Sequence, residues 1–340
     1  MRIGIVNDQP MAVEVLRRVL TLRPAHQIVW VTRDGAAAVA KCAQEKPDLI
    51  LMDIVMPVMG GVEATRRIIA AGPCPILIVT ANAQSRARDV FTAMGAGALD
   101  AVDMPVFNAL APEAGAAVFL TKLDQLERCL IPEEGAPMNS TATNLPGNDT
   151  QLPLLAIGAS AGGPAALAYV LSQLPKNFPA AVVLIQHVDV QFAKSMAEWL
   201  NNQSALPVRL AMEGESPTAG VVLLAGTNHH LRLTRSQRLG YTEQPVAYVY
   251  RPSVNVFFES VARYWSGVAV GVLLTGMGRD GAEGLKAMRV AGAHTITQDR
   301  ATCAVYGMPK AAAELQAAVE ILPLEQIPAA ILRRYPMKAV

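Results

Sequence analysis

Short apolar runs recur along the chain. Each is followed by a break of polar or small residues, then by a stretch in which apolar residues return every three or four positions. In the first part the runs are "RIGIVN", "QIVWVT", "DLILMD", "PILIVT" and "ALDAVD", separated by stretches such as "PMAVEVLRRVLTL" and "GVEATRRIIAA". In the second part they are "LLAIGAS", "AVVLIQH", "GVVLLAG", "VAVGVLLTG" and "HTITQD". Compact runs rich in Val, Ile and Leu predict strands, and the longer periodic stretches predict amphipathic helices. Their alternation predicts an α/β class with parallel, doubly wound sheets and right-handed crossovers. In such sheets ligands sit at the carboxyl ends of the strands.

The 340 residues are too many for one ordinary core and suit two domains. The stretch Ile131 to Pro153, "IPEEGAPMNSTATNLPGNDTQLP", has few large apolar residues and much Pro, Gly, Asn, Ser and Thr, which reads as a linker. The division expected is a first domain over residues 1–125, a linker over 126–152 and a second domain over 153–340. Hydrophobic content of 52% with only 17% charged residues favours strands buried on both faces. The net charge of +1 provides no basic footprint, so nucleic acid is not an expected partner. "MRIGIVND" reads as a strand, not a signal peptide. The longest uncharged stretch, Leu152 to Pro175, is interrupted by "GASAGGP" and reads as strand, turn and helix, not as a membrane span. The cysteines Cys42, Cys74, Cys129 and Cys303 are scattered without a CxxC pair, which fits reduced thiols in a cytoplasmic protein.

In the first domain Asn7 and Asp8 follow one strand, Asp53 ends another and Thr80 ends a third. A doubly wound sheet brings these ends to one edge. Oxygen ligands from Asp8 and Asp53 can hold Mg²⁺, which retains waters and awaits a phosphate. Asp53 is then the candidate phosphoryl acceptor, with Thr80 placed to hydrogen-bond the phosphoryl group. The plainer reading is that these residues cap the following helices. The string "MDIVMPVMGGVEATRRI", with "VND" and "GALDAVDMP", resembles the response-regulator receiver family. The resemblance implies a flavodoxin-like fold. Two departures stand out: Asn7-Asp8 replaces the usual pair of acids, and Met104 stands where the family has a lysine.

In the second domain "GASAGG" permits two readings. Glycines there could cradle a phosphate, but the G-x-G-x-x-G spacing is missed and the next strand ends in His187 instead of an acid. Alternatively, Ser160 at a strand-to-helix turn is a nucleophile beside the free amides of a helix that begins near Pro164. It needs a base. His187 ends an apolar strand at the expected sheet edge, while His229 and His230 are rivals; His26 and His294 are weaker. Asp280, in a second strand, glycine turn and helix, is the candidate acid that orients the imidazole, with Asp189, Asp299 and Glu283 behind it. Asp280 as a simple cap of the helix near Ala282 is the alternative.

"AIGASAGG", "LIQH", "RPSVNVFF", "LLTGMGRDGAEG" and "AVYGMP", behind a receiver and linker, resemble the CheB chemotaxis protein-glutamate methylesterases. "VNDQPMAVEVLRR" and the missing receiver lysine look most like the WspF-type members, which serve surface sensing. The resemblance implies Ser160 as nucleophile, His187 as base, Asp280 as orienting acid, and the main chain of Met277 as an oxyanion donor. Ala161 stands where threonine is common, leaving its backbone amide for the oxyanion. The implied activity is removal of methyl esters from glutamates of chemoreceptors, with deamidation of receptor glutamines. No cofactor is needed for the esterase chemistry, Mg²⁺ belonging to the receiver. The implied phosphodonor is a CheA-type histidine kinase, and the ester is made by a CheR-type methyltransferase. The resemblance also implies that the receiver obstructs the esterase until phosphorylated. A different class of function, a regulatory protein that binds receptor or kinase without turnover, is the alternative.

Overall fold

The computed structural model describes residues 1–107, 113–130 and 152–335 except 73, 82, 84, 247 and 249; of 128–130 only the helical backbone is described. The chain divides into two compact units, Met1–Glu134 and Gly135–Val340. Most of the span read as linker, 131–151, lies outside the described residues.

Unit one alternates strand and helix: β1 (Arg2–Val6), α1 (Pro10–Leu20), β2 (Gln27–Thr32), α2 (Gly35–Gln44), β3 (Leu49–Met52), α3 (Gly61–Ala71), β4 (Ile76–Thr80), α4 (Ala87–Gly95), β5 (Asp100–Asp103) and α5 (Ala117–Leu130). The five strands form one parallel sheet in the order β2-β1-β3-β4-β5. Every residue of β3 and β4 is buried, as expected of strands covered on both faces. The strand order reverses between β1 and β3, so the loops after these two strands open on the same crevice. Helix α5 runs to Leu130, past the limit of 125 expected for this domain. Its apolar spacing explains the extension: Leu120, Leu123 and Leu126 all face the core.

Unit two comprises β6 (Leu154–Ala159), α6 (Gly163–Ser172), β7 (Ala181–Gln186), α7 (Val190–Asn201), β8 (Val208–Leu210), β9 (Val222–Leu224), β10 (His230–Leu233), β11 (Leu239–Thr242), α8 (Val254–Tyr264), β12 (Ala269–Leu273), α9 (Ala282–Val290), β13 (His294–Gln298), α10 (Met308–Glu314), β14 (Glu320–Leu322) and α11 (Ile327–Arg334). Seven strands form a parallel sheet in the order β14-β13-β12-β6-β7-β9-β8, and β10 and β11 form a separate antiparallel hairpin. The central strands β6 and β7 are buried throughout. On one face their side chains pack with Phe257, Phe258 and Val261 of α8 and Leu285 and Met288 of α9. From β6 the sheet grows one way through β7 and the other way through β12, which makes β6 its topological switch point.

Candidate active site

The turn after β6 is held from several sides. The Ser160 amide donates to the Thr275 carbonyl (3.1 Å), and the Ser160 carbonyl accepts from the Gly163 amide (2.7 Å). Gly162 adopts φ +73°, a left-handed conformation that costs a Cβ-bearing residue free energy, and it starts α6 with Pro164 in the first turn. Gln186 at the end of β7 reaches across: its Nε2 donates to the carbonyls of Ser160 (2.9 Å) and His187 (3.2 Å). One buried amide thereby ties the serine turn to the backbone of His187. Ser160 is less open than a strand-end turn suggests, only 7% exposed. The His187 ring on one side and the loop at Gly276 on the other cover it. A Cβ on Gly276 would lie 2.9 Å from that of Ser160.

Ser160, His187 and Asp280 form a continuous hydrogen-bonded chain. His187 Nδ1 lies 3.0 Å from Ser160 Oγ, and His187 Nε2 lies 2.7 Å from Asp280 Oδ2. An ionised carboxylate only accepts, so the neutral imidazole carries its proton on Nε2 and presents the Nδ1 lone pair to the serine hydroxyl. Asp280 does not cap α9, whose first residue it precedes by two. Its carboxylate turns instead to the start of α8. There it accepts from Ser253 Oγ (2.8 Å) and from the amides of Val254 (2.7 Å) and Asn255 (3.0 Å). Burial pushes the Asp280 carboxyl up. The hydrogen bond and charge of His187, with the Asn255 amide and the Ser253 hydroxyl, outweigh burial and hold it below the usual carboxylate range.

The amides of Ala161 and Met277 flank the serine and donate to no acceptor among the described residues. The loop carrying Met277 is pinned by the segment before α10: Gly276 donates to the Val305 carbonyl, and its own carbonyl accepts from Gly307 and Met308. The rival residues lie elsewhere or do other work. His229 is exposed and 3.9 Å from Glu243. Asp189 caps α7 through the Gln191 amide, Asp299 accepts from Thr302, and Glu283 is exposed. His294 pairs with Glu320 at the far end of β13, and His26 lies in unit one beside Glu127. His230 is fully buried, accepts the Ser253 amide on Nδ1 (3.1 Å) and lies 3.3 Å through Nε2 from the Pro245 carbonyl, behind the Asp280 cradle.

In unit one, Asp8 after β1 and Asp53 after β3 come to the crevice at the sheet's reversal. Asp53 Oδ1 accepts from the Ile54 amide (2.7 Å) and Oδ2 from Asn7 Nδ2 (3.2 Å). Burial raises the Asp53 carboxyl above its usual range; the Ile54 amide, the Thr80 hydroxyl and the Val55 amide oppose this, and the Asp8 charge adds to it. Asp8 Oδ1 is buried with no partner. Two close carboxylates, one with an orphaned oxygen, fit a small hard cation that draws its other ligands from water and phosphate. Among the described residues no group of three or more His, Cys, Asp or Glu side chains is gathered for a metal. Asn7, where an acid is usual, instead spends its oxygen on the Gln9 amide (2.9 Å). At the Met104 position no cation stands beside Asp53, and the Met104 amide donates to the Thr80 carbonyl (2.9 Å).

Sequence reasoning overlooked Tyr250, Ser253, Gln186 and the start of α8. The ring of Tyr250 stacks flat on that of His187. "RPSVNVFF" carried a signal for the rest: a serine just before a periodic apolar stretch marks a helix N-terminus, where free amides attract a carboxylate.

Comparison with known proteins identifies the family of each domain. Residues 155–331 match the CheB methylesterase family and residues 3–110 the response regulator receiver domain. A protein-glutamate methylesterase/protein-glutamine glutaminase of Pseudomonas savastanoi pv. phaseolicola is 60% identical over 327 residues, covering 96% of this chain and 97% of that protein. Its counterpart of the group 3 operon of Pseudomonas putida is 59% identical over 328 residues, with the same coverage. The CheB methylesterase catalytic domain of Thermotoga maritima, known from a crystal structure, is 34% identical with a TM-score of 0.52, covering 54% of this chain and 99% of that one. The chain therefore belongs to the CheB methylesterase family, with a response-regulator receiver domain ahead of the catalytic domain.

Proposed function

We propose that this protein is a phosphorylation-regulated protein-glutamate methylesterase acting on methylated chemoreceptors, and that it also deamidates receptor glutamines. The observation that carries the reading is the hydrogen-bonded chain Ser160–His187–Asp280 at 3.0 and 2.7 Å. Ser160 Oγ attacks the carbonyl carbon of a glutamate methyl ester while its proton passes to His187 Nδ1. Asp280 stabilises the imidazolium through Nε2. The amides of Ala161 and Met277 receive the oxyanion, where preorganised donors lower the barrier most. Collapse breaks the bond to the methoxy oxygen, which takes the proton from His187 and leaves as methanol. Water then attacks the acyl-enzyme, giving its proton to His187; Ser160 recovers a proton and glutamate carboxylate departs. With a glutamine side chain the leaving group is ammonia.

Asp53 is the phosphoryl acceptor, supplied by a histidine kinase of the chemosensory pathway. Mg²⁺ held by Asp8 and Asp53 would offset the charge of the incoming phosphoryl group. Thr80 ends β4, the strand paired with β3, and is the residue we assign to bond that group. Among the described residues no helix is long and apolar enough to cross a membrane. We assign the protein to the cytoplasm, where receptor signalling domains and the kinase are reached. The nucleotide-cradle reading of "GASAGG" loses ground because the turn's glycines serve the bend and the close approach of Gln186, whose Oε1 a Cβ on Gly163 would meet at 2.1 Å. A binding protein without turnover has no use for the assembled triad. Methanol release from methylated receptor, with and without a small-molecule phosphodonor, tests the proposal; no release under either condition would overturn it.

A further inference from the structure

Both nitrogens of the His187 imidazole are committed, Nδ1 to Ser160 and Nε2 to Asp280. Its flat faces remain, and Tyr250 covers one of them. The two ring centroids are 4.4 Å apart and the planes differ by 3°. The phenol end extends towards the loop that carries Met277: a Cβ on Gly278 would lie 3.4 Å from the Tyr250 hydroxyl oxygen. Tyr250 sits in the loop before α8, next to the residues that cradle Asp280, so one short segment supports both the acid and the base.

We infer that Tyr250 is a positioning residue for the hydrolysis, one that fixes the plane of the His187 ring and stabilises the imidazolium formed as Ser160 loses its proton. The physical reason is the quadrupole of the aromatic ring, whose face attracts a cation within about 6 Å of its centroid. Before the proton moves, the mechanism requires His187 as an uncharged base, so the stack it enters with is between two uncharged rings. In the transition state it becomes a cation against an aromatic face. The contact strengthens as the proton moves, so it lowers the barrier of the chemical step without tightening substrate binding. The parallel stack also denies the imidazole the rotation that would misalign Nδ1 with the serine. This inference rests on the triad proposed above, and the aromatic ring, not the hydroxyl, is the active part.

The test uses the full-length chain with Tyr250→Phe, Tyr250→Leu and Tyr250→Met. Tyr250 is half-buried in a loop, so its removal spares the core. Methanol release from methylated receptor gives kcat and KM, with circular dichroism as the control for folding. Tyr250→Phe should stay within about twofold of wild type. Tyr250→Leu and Tyr250→Met should lose about 2- to 30-fold in kcat with little change in KM. A second readout is the rate at which a fluorophosphonate probe modifies Ser160, which needs the same base but no receptor. If wild type is labelled but releases no methanol, the methylesterase reading fails while the ranking of Tyr250 variants by labelling still decides the inference. Wild-type rates in Tyr250→Leu and Tyr250→Met overturn it. So does a loss in Tyr250→Phe equal to that in Tyr250→Leu, a loss confined to KM, or the absence of any labelling of wild-type Ser160.

Discussion

Four donors converge on the Asp280 carboxylate: the His187 imidazole, the Ser253 hydroxyl and the amides of Val254 and Asn255. An asparagine there offers an NH₂ group to donors that cannot accept it. Asp280→Asn should therefore lower methanol release by roughly 10³-fold or more and also destabilise the catalytic domain. The pH dependence has a definite sign. The folded-state pKa of Asp280 is depressed, so its contribution to stability is present above the unfolded value of about 3.9 and is lost as pH falls through the folded value. The stability gap between wild type and Asp280→Asn, measured by urea unfolding, should be wide at neutral pH and narrow as pH drops below about 4. A gap that stays constant would mean the ionised carboxylate is not what stabilises. Asp53 has the opposite sign. Burial raises its pKa, so ionising it in the fold works against stability, and that penalty sets in as pH rises through the folded value. Asp53→Asn should block labelling by a phosphodonor and, without metal at pH 7, raise the melting temperature of the receiver transition by about 1–4 °C. Added Mg²⁺ should stabilise wild type and leave Asp53→Asn unchanged. Labelling that persists in Asp53→Asn would remove it as the acceptor.

The elements that carry the candidate sites were legible in the sequence because their side chains had no freedom to be anything else. β1, β3, β6, β7 and β12 are buried on both faces or nearly so, and continuous runs of Val, Ile, Leu and Ala state this directly. Strand-end positions then placed Asp53, Ser160, His187 and Asp280 at their sheet edges. The strands not anticipated are β8, β10, β11 and β14, each three or four residues long. Edge strands and a small hairpin need neither a continuous apolar run nor strict alternation, so periodicity gives them no voice. The role of α8 was hidden for another reason. Its first turn meets Asp280 across 25 to 27 residues of chain, and no local pattern encodes a contact at that range. Ser253 links the two scales, since its Oγ donates to Asp280 and also accepts the Val256 amide (3.4 Å) as the helix cap. Ser253→Ala should cost about 1 kcal/mol of stability for the cap and lower kcat roughly tenfold through a looser Asp280. Denaturant unfolding and methanol release, run on one preparation, separate the two effects; unchanged kcat would show that the backbone amides alone hold the acid.

For the whole molecule the question is what a receiver does for an esterase on the same chain. Covalent linkage gives each unit a high effective concentration for the other, so even a weak interaction between them is populated. If the unphosphorylated receiver inhibits, phosphorylation must relieve that through an interaction free energy that differs between the two states. The lysine that would read the phosphoryl charge is replaced by Met104, so the response of wild type should be modest, and Met104→Lys should enlarge the ratio of phosphorylated to unphosphorylated activity. Deleting residues 1 to about 150 isolates the inhibitory part of the account. The catalytic unit has its own core and all three triad residues, so the truncated chain should fold. Its turnover on methylated receptor should exceed that of the unphosphorylated full-length protein even at saturating receptor. The competing account is that the receiver recruits the enzyme to its substrate. Deletion would then leave turnover at saturation unchanged and raise the apparent KM. Rates measured across receptor concentrations tell these apart. A truncated enzyme that folds, yet is no faster than the unphosphorylated full-length chain at any concentration, rules out inhibition by the receiver and leaves Asp53 to act on recruitment alone.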